Sequence, residues 1–457
     1  MGSIIKHLKE NRQYWMMTVL LAVLYWVFSH KLERSNFISL MGLITGMFVI
    51  TYWLIRQWGD QFRLMMGLGL GFRLIFLLTL PNLSQDFYRF LWDGRLLVQG
   101  INPYLQTPTA YLEAGNMVVT QASELVAGMG ELNAGHFSNY PPLNQLCFAL
   151  AALLAGKSIL GSAVVLRLLI ILADIGILWF GSKLLSKIGL KKQVIFWFFL
   201  NPFVLIEITG NLHFESVMIF FMVWGLYMLS EKRWIWAAVL IGLSVSVKLI
   251  PLLFLPVFLR YFTKIPNWRP GFARFVLFSV LVMLTAGLTF APFLSGDFLN
   301  NFGQTIALWF QNFEFNASIY YIIRWIGFQT IGWNIIADVG KILPLIVLAF
   351  VLIISLIRDQ KNMRQLITSM LWCISFYFLL STTVHPWYIA TPLILGVFTP
   401  FRFPVIWSLL VMLSYSAYTA NGFQENLELV ALEYILGIVF VLMELNGKLP
   451  NPTISET

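Results

Sequence analysis

"SQDFYRFLWDGRLLVQGINPY", residues 84–104, gathers Asp86, Arg89, Asp93 and Arg95 within ten residues, in a chain where only 11% of residues are charged. The stretch follows directly on an apolar run, 64–80. Helical spacing sets Asp86, Phe90, Asp93 and Leu97 on one face, with Arg89 on a neighbouring strip. Ser84 is placed to cap the helix and Asp86 falls in its first turn, where the dipole favours an acid. Gly100 ends it, and Pro103 forces the preceding residue into an extended conformation. The spacing therefore predicts an amphipathic helix over 84–99 at a membrane edge. Its charges either stay solvated, or Asp86 is a catalytic carboxylate with Arg89 and Asp93 as supporting or acceptor-binding groups.

The membrane itself is read from composition. Of the 457 residues, 59% are hydrophobic and 16% aromatic. Apolar runs of about 17–25 residues recur from end to end, as bilayer-spanning helices require. They are continuous, without the two-residue alternation of a transmembrane barrel. The formal charge of +9 does not indicate nucleic acid, because the lysines and arginines sit in short connectors between apolar runs. Two cysteines in apolar surroundings, Cys147 and Cys373, provide neither a disulfide framework nor a zinc site. The opening "MGSIIKHLKENRQYWMMTVLLAVLYWVF" reads as a retained first span, not a cleaved signal peptide.

The chain thus reads as a single all-α integral membrane domain, 1–457, multi-pass in the cell (inner or plasma) membrane. Fourteen spans are expected: 14–30, 37–55, 64–80, 162–182, 193–209, 214–230, 234–248, 250–262, 275–293, 334–357, 365–381, 387–400, 404–420 and 428–445. Segment 81–140 holds five acids against two arginines, which suits an outer loop. The short apolar piece 141–156 is expected to be re-entrant or interfacial, because a crossing there would put the four lysines of 183–192 outside. On this threading 210–216, the Lys248 turn, 294–333 and 381–387 emerge on the outer face with 81–140. Spans 250–262 and 387–400 begin at or near Pro251 and Pro386 and read as halves of broken helices, tolerated where backbone lines a cavity.

That face collects the chemistry. Lys248, at a helix end in apolar surroundings, is a functional candidate by default, with snorkelling to headgroups as the alternative. His385 precedes a broken helix and is placed to donate to the same anion, or to be a buried, hydrogen-bonded histidine. Arg324 is a weaker third cation. Asn211, His213 and Glu215 in "GNLHFES" either contact sugar hydroxyls, support Asp86, or cap the next helix. Tyr140, beside Pro141 and Pro142, shapes the site. Asp174, seven residues from Arg167 on one helix, reads as a buried structural carboxylate paired to a neighbouring helix, and Glu207 is similar. There is no Walker A, no dinucleotide glycine fingerprint and no HExxH, so a nucleotide sugar has no obvious seat.

The ordered series "QDFYRFLWDGRLLVQGINPY", "YPPLNQL", "ADIGILWFGSKLL", "NPFVLIEITGNLHFESVM" and "VSVKLIPLLFLPVFL" resembles the GT-C superfamily of polyprenyl-phosphate-sugar-dependent glycosyltransferases over about 64–400. It is most similar to bacterial family 87-like mannosyltransferases and to the first mannosyltransferase of glycosylphosphatidylinositol assembly. The resemblance implies a GT-C-like bundle with a long outer loop carrying interfacial helices. It implies inverting transfer of a hexose, mannose foremost, from a polyprenyl-phosphate sugar to a lipid- or glycan-linked hydroxyl. Asp86 would be the base, with Lys248, His385 and Arg324 at the donor phosphate. Many relatives carry paired acids at this loop, whereas Gln85 precedes a lone Asp86 here; the departure implies no metal cofactor. A lipid-linked saccharide flippase or transporter and a polysaccharide polymerase or ligase are the rival readings.

Overall fold

A computed structural model describes residues 11–115, 118–263 and 268–448 of the protein. The described residues are helical almost throughout. Their two strands, Tyr418–Thr419 and Gly422–Phe423, form a small antiparallel hairpin. A single parallel bridge joins Phe315 to Thr383.

Among the described residues, five helices are long and apolar enough to cross a membrane: Phe37–Trp58, Ile159–Lys187, Trp268–Phe293, Ile336–Ile357 and Met363–Leu380. A sixth is added if Lys192–Phe199 and Val204–Gly210, bent by 64°, count as one span. By length and composition, five or six spans do not confirm the fourteen expected. The reason is that apolar runs do not stay straight. Ile250–Val257 is a tight 3-10 segment with a proline at either end of its "PLLFLP" core, and Val204–Gly210 is π-helical. Glu215–Ser230, at 16 residues, covers about 24 Å at about 1.5 Å per residue, short of a hydrocarbon core of about 30 Å.

The helix expected over 84–99 runs Asp86–Val98, but its charges are not solvated. Arg89 and Asp93 are fully buried and paired, Nε to Oδ1 at 2.9 Å. The Asp93 carboxylate also accepts from Ser138 Oγ (2.5 Å) and Gln145 Nε2 (2.9 Å), and Arg89 Nη1 donates to the Asn133 and His136 carbonyls. Arg95 donates to the Thr120 and Lys157 carbonyls. The helix is instead clamped between Ala122–Gly135 and Pro142–Ala155. Gly94 permits the second approach, since a Cβ there would lie 2.2 Å from the Phe148 carbonyl oxygen. Segment 141–156 forms the 14-residue helix Pro142–Ala155.

Behind this layer sits a buried polar core. Asp174 pairs with Arg73, Nε to Oδ2 at 2.7 Å, both side chains fully buried. It also accepts from Ser216 Oγ at 2.5 Å and Thr209 Oγ1 at 3.3 Å. Its partner is thus on another helix, as expected of a structural carboxylate, and is not Arg167. Arg167 donates to four carbonyls, of Leu77, Thr79, Thr209 and Gly210, at 2.8–3.0 Å. These carbonyls lie on the two strands of chain that lead to Asp86 and to His213, so one buried guanidinium ties both approaches together. Glu207 accepts from Tyr415 Oη at 2.8 Å.

Candidate active site

Pro81, Asn82 and Leu83 carry the chain from the Phe62–Ile75 helix to Ser84, and their course is fixed by side chains from elsewhere. Asn211 Oδ1 accepts from the Leu83 amide (2.9 Å) while its Nδ2 donates to the Ile206 carbonyl (3.1 Å). Asn82 Nδ2 donates to the Phe28 carbonyl at 2.8 Å. Asp86 then begins its helix beside a cavity of about 560 Å³. Asp86 Oδ1 accepts from Asn133 Nδ2 at 3.0 Å, and among the described residues Oδ2 carries no hydrogen bond. Of the described residues lining the cavity, Asp86 is the one carboxylate. Its partial removal from water raises its pKa above the usual carboxylate range, opposed by the Asn133 hydrogen bond and by the charges of Lys248 and Arg34.

The cavity collects distant segments. Lys248 lines it from the end of Trp234–Val247, where the helix stops in an extended residue ahead of Pro251. Its ammonium pairs with the buried Glu215, which begins the Glu215–Ser230 helix. His213 and His385 both line the cavity and both stack on Trp387, at ring separations of 3.7 and 4.5 Å. Between Asn211 and His213, the buried Leu212 is held at φ 64°. A branched side chain there is strained, and such strain concentrates at functional turns. Phe90, Tyr140 and Phe214 form an aromatic floor around Phe148, with Phe90 stacked on Phe148 at 4.5 Å. Such faces suit the apolar side of a sugar ring.

Among the expected site residues, Asp86, Lys248, His385, Tyr140 and His213 thus meet at one cavity. Glu215 and Asn211 stand behind it, one on the lysine and one on the loop before Asp86. Arg89 and Asp93 hold the Asp86 helix in place and do not line the cavity. Arg324 does not line it either: it pairs with Glu314, ten residues upstream, beside Tyr320 and Asn334. Among the described residues, no group of three or more His, Cys, Asp or Glu side chains is placed to hold a metal ion.

The model of the alpha-(1->6)-mannopyranosyltransferase N-terminal domain matches residues 3–264. The chain belongs to this family. The matched region contains Asp86, Tyr140, His213, Glu215 and Lys248 and stops short of His385. Alpha-(1->6)-mannopyranosyltransferase A of Mycobacterium tuberculosis is 24% identical over 337 residues, 69% of this chain and 61% of that protein. The protein of the same name from Corynebacterium glutamicum is 21% identical over 344 residues, 70% and 68% of the two chains. GPI mannosyltransferase 1 of Schizosaccharomyces pombe is 31% identical over 149 residues, 28% and 39%. The chain therefore matches 61% of the length of the mycobacterial member and 68% of the corynebacterial one.

Several lining residues of this family member escaped the sequence reading. Asn133 was hidden in a segment whose helix, Ala122–Gly135, carries no charge pattern of note. Asn144, fully buried at the cavity wall, has no hydrogen-bond partner for either end of its side-chain amide among the described residues. Tyr415 and Tyr418 arrive from the far C-terminal part of the chain. Arg34 had a signal: it is a basic residue on a connector that the threading places outside, where few are expected.

Proposed function

We propose that this chain is an inverting mannosyltransferase that moves mannose from a polyprenyl-phosphate sugar to a lipid- or glycan-linked hydroxyl on the outer face of the cell membrane. The observation that carries the reading is the lone carboxylate of Asp86, with Oδ2 open, in a cavity that also presents Lys248. Family membership and the names of the relatives support the sugar and the reaction class.

In this mechanism the acceptor hydroxyl approaches Asp86 Oδ2 while Asn133 fixes Oδ1. The carboxylate takes the hydroxyl proton as the acceptor oxygen bonds to the anomeric carbon. The bond from that carbon to the phosphate oxygen breaks on the opposite side, and its electron pair leaves with the polyprenyl phosphate. One displacement inverts the anomeric centre. A base with a raised pKa takes the proton more readily, and such help is typically worth about 10²- to 10⁴-fold. Lys248 stabilises the departing phosphate, an electrostatic contribution of about 3 kcal/mol for one well-placed donor. His385, which also lines the cavity, is a second contact. Glu215 holds the lysine in place through their ion pair.

Purified protein incubated with radiolabelled polyprenyl-phosphate mannose and membrane-extracted acceptors should transfer label, and transfer should persist in EDTA. Lys248→Met should lose about 10²-fold in rate. Absence of transfer from this donor to any extracted acceptor would sink the reading. Loss in EDTA that Mn²⁺ restores would make Asp86 a metal ligand instead of a base.

The outward face has its own test. In a background lacking Cys147 and Cys373, Glu113→Cys should react with an impermeant thiol reagent on intact cells, and Lys191→Cys should not. Both positions are exposed. The reverse pattern would place the cavity on the inner side.

A further inference from the structure

Among the described residues the cavity presents two cations, Arg34 and Lys248, and they are not equivalent. Lys248 is already compensated by Glu215. Arg34 lies on the five-residue connector between Arg12–Lys31 and Phe37–Trp58, partly exposed, and no carboxylate pairs with it among the described residues. Its guanidinium is nevertheless held in place. Nη1 donates to the Leu83 carbonyl at 3.1 Å, and Cζ stands 4.0 Å from the centre of the Tyr418 ring. Among the described residues Nε and Nη2 have no hydrogen-bond acceptor, which leaves one edge of the planar fork for a ligand. Leu83 and Tyr418 themselves line the cavity, as does Asp86, three residues beyond Leu83.

We infer that Arg34 binds the phosphate of the lipid-linked donor, taking the place that Arg324 does not occupy; the inference rests on the functional reading above. A guanidinium is permanently charged and presents parallel N–H groups that match two phosphate oxygens, which an ammonium cannot do. An anion entering this cavity meets Asp86, whose carboxylate repels it, and Lys248, whose charge is shared with Glu215 behind the wall. Arg34 supplies the attraction that is not already spent. Bond cleavage turns a singly charged phosphodiester into a phosphate monoester with greater negative charge, so the contact strengthens as the reaction proceeds. Arg34 therefore acts on turnover as well as on donor affinity. The backbone bond and the Tyr418 ring hold the fork before the donor arrives, and no rearrangement is needed.

The test measures binding of farnesyl phosphate and of farnesol to the purified full-length protein in detergent. The two probes share a tail and differ in the phosphate. Arg34→Gln should weaken farnesyl phosphate by about 10- to 100-fold, as loss of charge-assisted hydrogen bonds implies, and leave farnesol unchanged. Arg34→Lys should fall between, since it keeps the charge and loses the fork. Equal weakening of both probes would reduce Arg34 to a structural clasp on Tyr418 and overturn the inference. If Arg34→Gln does not fold, Arg34→Lys decides alone: an unchanged ratio of the two affinities overturns the inference. Phospholipid headgroups carry the same chemistry, so phosphatidylglycerol is added as competitor. If it displaces farnesyl phosphate from wild-type but not from Arg34→Gln protein, Arg34 is a headgroup contact and the donor assignment fails. Full mannosyl transfer by Arg34→Gln would overturn the site and leave the functional reading intact. Binding of farnesyl phosphate through Arg34 with no sugar transfer from any donor would do the opposite.

Discussion

Asp86→Asn lowers sugar transfer by at least about 10²-fold and leaves donor binding intact. The amide keeps the shape of the carboxylate, and its oxygen can still accept from Asn133 Nδ2, which now holds Oδ1 at 3.0 Å. What it loses is a group able to take a proton. Single-turnover rates and donor affinity, measured side by side, separate the two effects. More than about a tenth of wild-type rate remaining would remove Asp86 as the base. The wild-type pH profile supplies a second check. The active form is the ionised carboxylate, and burial raises its pKa. Activity should therefore fall as pH drops through a midpoint above the ordinary carboxylate range, and that limb should be missing from the residual activity of Asp86→Asn. A limb at the ordinary value would mean that Asp86 is solvated when the substrates are bound.

Asp86 and Lys248 were legible because charge in apolar surroundings must be explained, whatever the fold. Their meeting at one cavity was legible from the threading, which sends 81–140, 210–216, the Lys248 turn and 381–387 to one face. What the sequence hid was partnership. Arg324 looks free in "FNASIYYIIRWIG", yet Glu314 lies one helix entry upstream and takes it. Arg34 looks like one more basic residue in a connector, and only the hairpin at Tyr418, almost four hundred residues later, makes it a fixed part of the cavity. Periodicity found the Asp86–Val98 helix and left its surroundings open, because spacing records which residues share a face and not what covers that face. Ser138, Gln145 and the bare backbone at Gly94 turn a solvated stripe into a packed one. Hydropathy left span number open for a related reason: it counts apolar residues and is blind to the 3-10 and π-helical turns that bend them.

Asp174→Leu destabilises the protein by about 3–5 kcal/mol, the usual result of stripping one partner from a buried ion pair. Arg73 would be left charged and fully buried, with carbonyl partners alone: Nη1 donates to Gly69 at 3.0 Å and Phe199 at 2.8 Å. Carbonyl dipoles and the Phe199 ring, 4.1 Å from Cζ, offset part of that charge but do not neutralise it. Adding Arg73→Met to Asp174→Leu should recover most of the loss, because a well-filled apolar pair needs no counter-charge. Recovery should be incomplete. Ser216 and Thr209 lose the acceptor that Asp174 provided, and Thr209 lies in the π-helical turn leading to Asn211 and His213. The double variant should therefore regain thermal stability in detergent more fully than it regains sugar transfer. A double variant no more stable than Asp174→Leu would show that the cost lies in the orphaned hydroxyls and not in the stranded guanidinium.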